Sequence, residues 1–425
     1  MQPTDVLLVG SGGREHALVL ALLESPKVGA VHCLPGNAGT AEIATNHVLE
    51  DASNQATVNL AIRLGVGLVV VGPEAPLCDG LADVCSAAGL PCFGPVAALA
   101  RLEGSKLHAK LTMQEAGVPT ADYVLLEADS DIDSALDAYA TSPWVVKRDV
   151  LAGGKGVVVT SDREEARAFI DASIQTDGCV LLEAFLPGEE ASMLVVMDGQ
   201  ACVPLPASQD HKRAFDGDEG PNIGGMGAYC PAPVVDDVVH ERIVSRIIEP
   251  MHRYLADQPV PYRGVLFIGL MIDEHGDPYV VEFNVRFGDP ECQVTLPLVT
   301  SDVFDLLYGA ATDGLDPAGV TVSDRFALTV VLASEGYPAA PIKGRPIGGM
   351  AEVMANGVYG DAWLSLAGVG RDGQAWLATG GRVLSSTAVA NDVGSARQRA
   401  YDQLKGLSLE GGHHRSDIAH RALDR

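Results

Sequence analysis

Glu282 and Asn284 stand two residues apart in "VVEFNVRFGDPE", residues 280–291, an otherwise apolar stretch that reads as a strand. Side chains two apart on a strand share a face. A carboxylate and an amide oxygen placed that way can hold one hard divalent cation between them. Arg286 continues the same face and offers a planar donor for a phosphate or a carboxylate. Three polar groups on one strand face are costly in a core that has no ligand. The alternative is the solvated outer face of a sheet.

A second cluster lies in "VVKRDVLAGGKGVVV", residues 145–159. Lys147 sits in the strand-like part, and Lys155 follows eight residues later among glycines. The segment is not a G-x-x-x-x-G-K-[ST] loop, because Gly156 follows the lysine. A cation fixed on a strand and a mobile glycine-rich flap can close together over a polyphosphate and exclude water. "LLEAFLPGEE", 181–190, passes from strand to loop. Its backbone at Ala184, Phe185 and Leu186 could meet an adenine edge, and Glu183 and Glu190 could accept from amino or hydroxyl groups. Surface acids doing nothing are the competing reading there.

In "SQDHKRAFDGDEGPNIGGMGAY", 208–229, Asp210, His211, Lys212 and Arg213 precede five glycines. A long glycine-rich loop is expensive to order and often serves a substrate. Asp210 could receive an amino group and Arg286 a carboxylate, while His211 fits either a base or a structural hydrogen bond. "VGSGGREHA", 9–17, places glycines between a strand and a helix, where an anion is favoured. The dinucleotide fingerprint fails, since Glu15 stands where its third glycine belongs and "LPGNAGT", 34–40, carries no acid for a ribose. Two glycine turns on neighbouring strands instead predict a crevice for a small phosphorylated molecule; a turn needed only for packing is the bland alternative.

The elements that must position these groups alternate. Short apolar runs such as "DVLLVG" and "VGLVVVGP" are interleaved with amphipathic stretches such as "EHALVLALLES" and "QATVNLAIRLG" over the first hundred residues. This predicts a parallel sheet covered by helices, a Rossmann-like domain. A small α+β unit is expected over about 120–190, longer strands follow, and "MIDEHGDPYVVEF" reads as a hairpin turning at His275, Gly276 and Asp277. From about 322 a strand-rich unit ends in a helix at "VGSARQRAYDQLKGL".

The 425 residues exceed one hydrophobic core and predict several domains. A net charge of −27 opposes binding to nucleic acid or to anionic membranes. Any phosphorylated substrate must therefore find local positive charge, from a supply of 8 Lys and 21 Arg. Eight scattered cysteines form neither a C-x-x-C pair nor a zinc pattern, which suits reduced thiols. With no signal peptide and no membrane-spanning run expected, the reading is a cytoplasmic protein.

Taken in order, "GSGGREHAL", "PGNAGTA", "VVGPEAPL", "LEGSK", the glycine-loop lysine, "EAFLPGEEAS", "SQDHKR", "GPNIGGMGAY", "EFNVRFGDPE", "GGRVL" and "RSDIAHRAL" resemble the phosphoribosylamine–glycine ligases of the ATP-grasp superfamily. The resemblance covers essentially the whole chain. It implies an α/β and α+β multidomain fold: a Rossmann-like substrate domain over 1–102, an ATP-grasp domain over 103–321 with a mobile lid at about 120–190, and a small C-terminal domain over 322–425. It implies ligation of glycine to 5-phospho-β-D-ribosylamine through glycyl phosphate, with ATP as co-substrate and Mg²⁺ or Mn²⁺. This is the second step of purine synthesis. Lys106, Lys147, Gly154, Lys155 and Gly156 would meet the ATP phosphates, and Glu183, Phe185, Leu186 and Glu190 would seat adenosine. Glu282 and Asn284 would hold the metal, and Gly12, Gly13, Glu15, Gly36, Asn37 and Glu74 would frame the ribosylamine. Asp210, Lys212 and Arg286 complete the substrate set, and Arg286, Lys147 and Lys155 the catalytic one. A monomer acting on small molecules is expected.

One stretch departs from the family. Relatives read K-A-D-G-L-A-A-G-K-G where this chain has Arg148 and Val150 in "KRDVLAGGKG". A β-branched residue restricts angles that glycine allows, so lid behaviour or nucleotide affinity is expected to change. Two rivals remain at this level: a ligase for another carboxylate and phosphorylated amine, and a nucleotide-binding sensor whose lid Val150 has silenced.

Overall fold

The computed structural model describes residues 3–140, 142–151, 156–355, 361–423 and 425. The first five strands, β1 (Thr4–Gly10), β2 (Val28–Pro35), β3 (Thr45–Asn46), β4 (Leu68–Val71) and β5 (Cys92–Phe93), form one parallel sheet in the order β3-β2-β1-β4-β5. Val6, Leu7 and Leu8 of β1 are wholly buried, as a strand covered on both faces requires. The strand order reverses between β1 and β4, so the crevice at their carboxyl ends receives the turn at Gly10–Gly13 and the segment reaching Glu74.

Where the lid is expected lies a second sheet of β6 (Tyr123–Glu127), β7 (Trp144–Arg148), β8 (Val157–Thr160) and β9 (Cys179–Glu183), antiparallel in the order β6-β9-β7-β8. Its helix, Arg163–Asp177, starts where the Asp162 carboxylate accepts from the N–H groups of Glu164 and Glu165 and stops at Gly178, φ +86°. Ala166 and Ile170 of that helix pack on Trp144, Val146 and Leu182.

A third, antiparallel sheet runs β11 (Cys202–Pro204), β10 (Glu189–Met197), β16 (Gly264–Ile272), β17 (Pro278–Asn284). The expected hairpin joins β16 to β17. The Asp273 carboxylate accepts from the N–H groups of His275 and Asp277, and Gly276 takes φ +74°. Leu266, Ile268 and Leu270 face one core while Val265 and Phe267 face another, which is why β16 reads as an unbroken apolar run.

The C-terminal sheet is β12 (Gln209–Asp210), β15 (Gly227–Cys230), β18 (Phe326–Ala333), β23 (Arg382–Ala390) and β20 (Ala362–Leu366), in that order. Strands from before and after residue 322 therefore pair with each other, and the substrate loop is hydrogen-bonded into the C-terminal unit. A smaller sheet runs β21 (Val369–Asp372), β22 (Ala375–Ala378), β19 (Arg345–Gly348), β24 (Ser408–Leu409). The eight cysteines are free. Among the described residues no helix is long and apolar enough to cross a membrane.

The hairpin of β13 (Arg213–Phe215) and β14 (Glu219–Asn222) is tied to the chain terminus by Arg415, the largest fully buried side chain. Its guanidinium donates to Asp218 at 2.9 Å and to both oxygens of Asp417 at 2.7 Å. Removing one member of a buried ion network strands the other charges. Arg415→Met is expected to lower unfolding stability by about 3–5 kcal/mol, read from urea unfolding at neutral pH.

Candidate active site

β17 ends with Glu282 and Asn284 on one face, and the chain leaving it carries Arg286 to the same place. Arg286 Nη2 donates to Asn284 Oδ1 at 3.0 Å and to Glu103 Oε1 at 2.8 Å, while Nε reaches Glu74 Oε2 at 3.3 Å. With a further 3.3 Å bond from Nη1 to the Phe287 carbonyl, four of the five guanidinium donors are engaged and one is left over. The sequence predicts a donor for a phosphate or a carboxylate here; in the structure two carboxylates of the chain, Glu74 and Glu103, clamp it. Burial pushes the Glu103 carboxyl up, against the pull of Arg286. Glu74 is lowered, because Arg286 and Arg14 outweigh its burial.

Burial would also raise Glu282, but Lys212, Lys147, Lys106 and Arg286 together hold it below the usual carboxylate range. An ionised carboxylate beside an amide oxygen suits a hard divalent cation. Among the described residues no group of three or more His, Cys, Asp and Glu side chains could hold a metal by itself.

The lysines come from two elements. Lys147, in β7, lies 3.0 Å from Glu183 Oε2 and donates to the Val281 carbonyl at 3.1 Å. Lys110, on the helix Lys106–Ala116, is also 3.0 Å from Glu183 Oε2. Lys106, one turn earlier, donates to the Val150 carbonyl at 3.1 Å. Burial lowers both helix lysines, with Glu183 opposing the shift at Lys110. Glu183 thus balances two cations with one oxygen, and its other oxygen, Oε1, is buried without a partner. The sequence reading missed Lys110, although its four-residue spacing from Lys106 puts both on one helix face. The helix begins because Ser105 caps it and Asp149 of the lid loop accepts from the Leu107 N–H at 3.0 Å. Gly154 and Lys155 lie outside the described residues; Gly156 follows them, its carbonyl accepting from the Arg148 N–H at 2.8 Å.

Past β9, Phe185 is exposed and Leu186 half-buried. Glu190 lies 2.8 Å from Lys212, so a residue expected at the nucleoside and one expected at the other substrate are bonded to each other. Asp210 is 5% exposed, and its Oδ1 has no hydrogen-bond partner. His211 is structural. Its Nε2 accepts from the Ala419 N–H at 3.2 Å, and burial followed by the charges of Arg415 and Arg421 pushes it down to about 3, too low for a base.

In the first domain Glu15 is spent on the turn that carries it. Its Oε2 accepts from the Gly12 N–H at 2.5 Å and its Oε1 from Arg14 Nε at 2.6 Å. A Cβ on Gly72 would sit 2.0 Å from Glu15 Oε1, and one on Gly10 2.6 Å from its Cγ. The glycines are there to admit Glu15. Asn37 bridges domains, donating to the carbonyls of Ser11 and Leu366, and Gly36, φ +71°, leaves room for Asn46. Beside Gly12 and Gly13 opens a cavity of about 300 Å³ lined also by Asp289, Gln293 and Arg382. Arg382, the arginine of "GGRVL" to which the sequence assigned no role, donates to the carbonyls of Gly224 and Asp289 at 2.7 Å. It joins the C-terminal sheet to the substrate loop.

A lysine of one antiparallel sheet and two on a helix, gathered beside a carboxylate and an amide at the end of a second antiparallel sheet, define the ATP-grasp class. Biotin carboxylase of Campylobacter jejuni has the same fold, with a TM-score of 0.74 at 15% identity over 97% of this chain and 93% of that one. Residues 4–103, 104–292 and 327–421 match the N, ATP-grasp (A) and C domains of phosphoribosylglycinamide synthetase, and the chain belongs to that family. A phosphoribosylamine–glycine ligase of Streptomyces coelicolor is 47% identical over 418 residues, 98% of this chain and 99% of the relative. Another, of Rhizobium meliloti, is 44% identical over 99% of both. The crystal structure of the Thermotoga maritima phosphoribosylamine–glycine ligase aligns with a TM-score of 0.83 at 32% identity, covering 98% of this chain and all of that one. The family works with ATP and a divalent metal.

The departing lid residues have physical roles. Arg148 makes a two-bond fork with Asp177, 2.6 and 2.8 Å, closing the lid sheet onto the end of its helix. Val150 contributes its carbonyl, to Lys106. It is not in the left-handed region: among the described residues the non-glycine positive φ angles belong to Asp218, Asp313 and Ala419. Its backbone therefore does not use the left-handed angles that favour glycine. Val150→Gly is expected to change turnover and the KM for ATP by no more than about fivefold, the equivalent of the roughly 0.5–1 kcal/mol that glycine costs the backbone. ADP release by the variant checks this.

Proposed function

We propose that this chain joins glycine to 5-phospho-β-D-ribosylamine at the expense of ATP, giving glycinamide ribonucleotide, ADP and phosphate, the second step of de novo purine synthesis. The observation that carries the reading is whole-length similarity, 47% over 98% of the chain, to a phosphoribosylamine–glycine ligase. The cation-lined cleft is its physical counterpart.

In this reading Lys106, Lys147 and Lys155, with the backbone at Gly154 and Gly156, take the ATP phosphates. The free Oε1 of Glu183 accepts from adenosine, Phe185 and Leu186 flank the base, and Glu190 takes the ribose. Glu282 and Asn284 hold Mg²⁺ or Mn²⁺, which when bound supplies charge neutralisation at the phosphate oxygens. The remaining donor of Arg286 orients the glycine carboxylate, and Asp210 and Lys212 lie beside its other end. The carboxylate oxygen attacks the γ-phosphorus and ADP leaves, giving glycyl phosphate. The ribosylamine nitrogen then attacks the carbonyl carbon, phosphate leaves and the nitrogen loses a proton. Chemistry of this kind rests on positioning and on fixed charge, with no strong base required. Lid closure keeps water from the acyl phosphate.

The turns at Gly12, Gly13 and Gly36, with Asn37 and Glu74, frame the ribosylamine, and Glu15 acts by holding those turns. The division of labour follows residues 1–102, 103–321, with the lid at about 120–190, and 322–425. A cytoplasmic monomer without nucleic-acid or membrane partners is the expected form, in keeping with the charge of −27.

Purified protein given ATP, magnesium and freshly generated ribosylamine is expected to release ADP with glycine but not with alanine, serine or no amino acid. Nucleotide binding without glycine-dependent release would instead mark a sensor. Glu282→Ala is expected to lower kcat/KM more than about 100-fold while metal-free nucleotide binding persists.

A further inference from the structure

Lys110 is a cation in the cleft with nothing left to give a phosphate. It is 2% exposed, and its ammonium group has three N–H donors. Thr120 Oγ1 takes one at 2.9 Å, the Ala121 carbonyl another at 2.9 Å, and Glu183 Oε2 the third at 3.0 Å. The ring of Tyr123 is centred 5.6 Å from Nζ, within reach of a cation–π contact, and Tyr123 pairs with Glu183 across β6 and β9. Lys147 shares the same carboxylate oxygen but is held by two partners, Glu183 Oε2 at 3.0 Å and the Val281 carbonyl at 3.1 Å.

The partners of Lys110 fix it to the body of the cleft. Thr120 and Ala121 lie in the segment that joins the helix Lys106–Ala116 to β6. The Thr120 hydroxyl donates to the Val280 carbonyl at 2.7 Å, and the Pro119 carbonyl accepts from the Val280 N–H at 2.8 Å. That binds the segment to β17, the strand of Glu282 and Asn284. The Asp122 carbonyl accepts from the Ala184 N–H at 2.8 Å, which ties down the residue after Glu183. One oxygen of Glu183 is thus held from two sides, while the other, Oε1, has no partner among the described residues. A buried acceptor left that way is costly until a donor arrives.

We propose that Lys110 is the positioning residue of the nucleotide site: it holds Glu183 Oε2 so that Oε1 stays aimed as an acceptor for the exocyclic amino group of the base, and it thereby sets a preference for 6-amino over 6-oxo purines. This rests on the reading of ATP as co-substrate and of Glu183 as its adenosine partner, and it gives a role to a lysine the sequence reading missed. Two lysines meet Glu183 because Lys147 has two tasks. Once Lys147 turns to the phosphates it gives up part of its hold on the carboxylate, and Lys110, whose donors are all committed to the chain, keeps the carboxylate in place. A 6-oxo purine sets an oxygen against Oε1, and two acceptors facing each other exclude that base. Without the charge on Lys110 the carboxylate is free to turn, and the distinction fades.

Initial rates of glycine-dependent phosphate release by the full chain, with ATP and with ITP at matched magnesium, read the preference directly. The wild-type protein is expected to favour ATP by at least about 10-fold in kcat/KM; equal use of the two nucleotides overturns the proposal without any variant. Lys110→Met is expected to raise the KM for ATP about 10- to 100-fold, to bring the ATP-to-ITP ratio within about threefold of unity and to leave the KM for glycine within about twofold. A raised KM for ATP with the ratio unchanged marks a structural role alone and overturns the proposal. In a Glu183→Gln background Lys110→Met is expected to change the ratio by less than about twofold, because Lys110 acts through that carboxylate; a further large change there overturns it too. If Lys110→Met does not fold, Thr120→Val, which removes one anchor of the ammonium group and no charge, is expected to cut the ratio about threefold, and an unchanged ratio overturns the proposal. No glycine-dependent release with either nucleotide overturns the proposed function instead.

Discussion

The guanidinium of Arg286 meets Glu74 from the parallel-sheet domain, Glu103 from the end of the segment that leaves it, and Asn284 from the end of β17. One rigid planar cation thus sets the distance between the crevice of the first domain and the edge of the second. An arginine does this better than a lysine, because its donors point in fixed directions and several acceptors can be satisfied at once. The rest of the cleft is arranged around that clamp. Glu282 lies two residues before Asn284, Glu291 lies five residues after Arg286, and the carboxylates that restrain Arg286 leave it one donor to offer.

Charge economy explains much of the remainder. The chain is strongly acidic overall, yet Lys106, Lys110, Lys147, Lys212 and Arg286 converge on one cleft. Cations gathered there would repel one another and lose hydration if left alone. Glu183 sits between Lys110 and Lys147, the Val150 carbonyl meets Lys106, and Glu190 meets Lys212. Each lysine is compensated just enough to stay in place while the group as a whole still presents positive potential to a polyphosphate. The acidic exterior leaves this the attractive place for an anion.

The hydrophobic periodicity of the first hundred residues, the hairpin at His275–Asp277 and the shared face of Glu282, Asn284 and Arg286 were legible in the sequence, because each depends on residues close along the chain. Strand alternation and turn chemistry are local rules. Lys110 was legible in principle, through its helical spacing from Lys106. The role of Arg382 was not. It reaches the cleft only because β12 and β15, which precede residue 322, pair into a sheet with β18 and β23, which follow it, and no local pattern announces a pairing of that kind.

The sequence alone thus determined the kinds of elements, their order, the family and the chemistry of the strongest motif, since periodicity, turn residues and motif spacing are written in contiguous stretches. Tertiary structure decided which charges face each other. It committed Glu15 to its own turn, made His211 a buried neutral ring and tied Glu190 to Lys212. The physical reason is that burial and Coulomb interaction depend on distance through space, and residues as far apart as Glu74 and Arg286 become neighbours only when the sheets have packed.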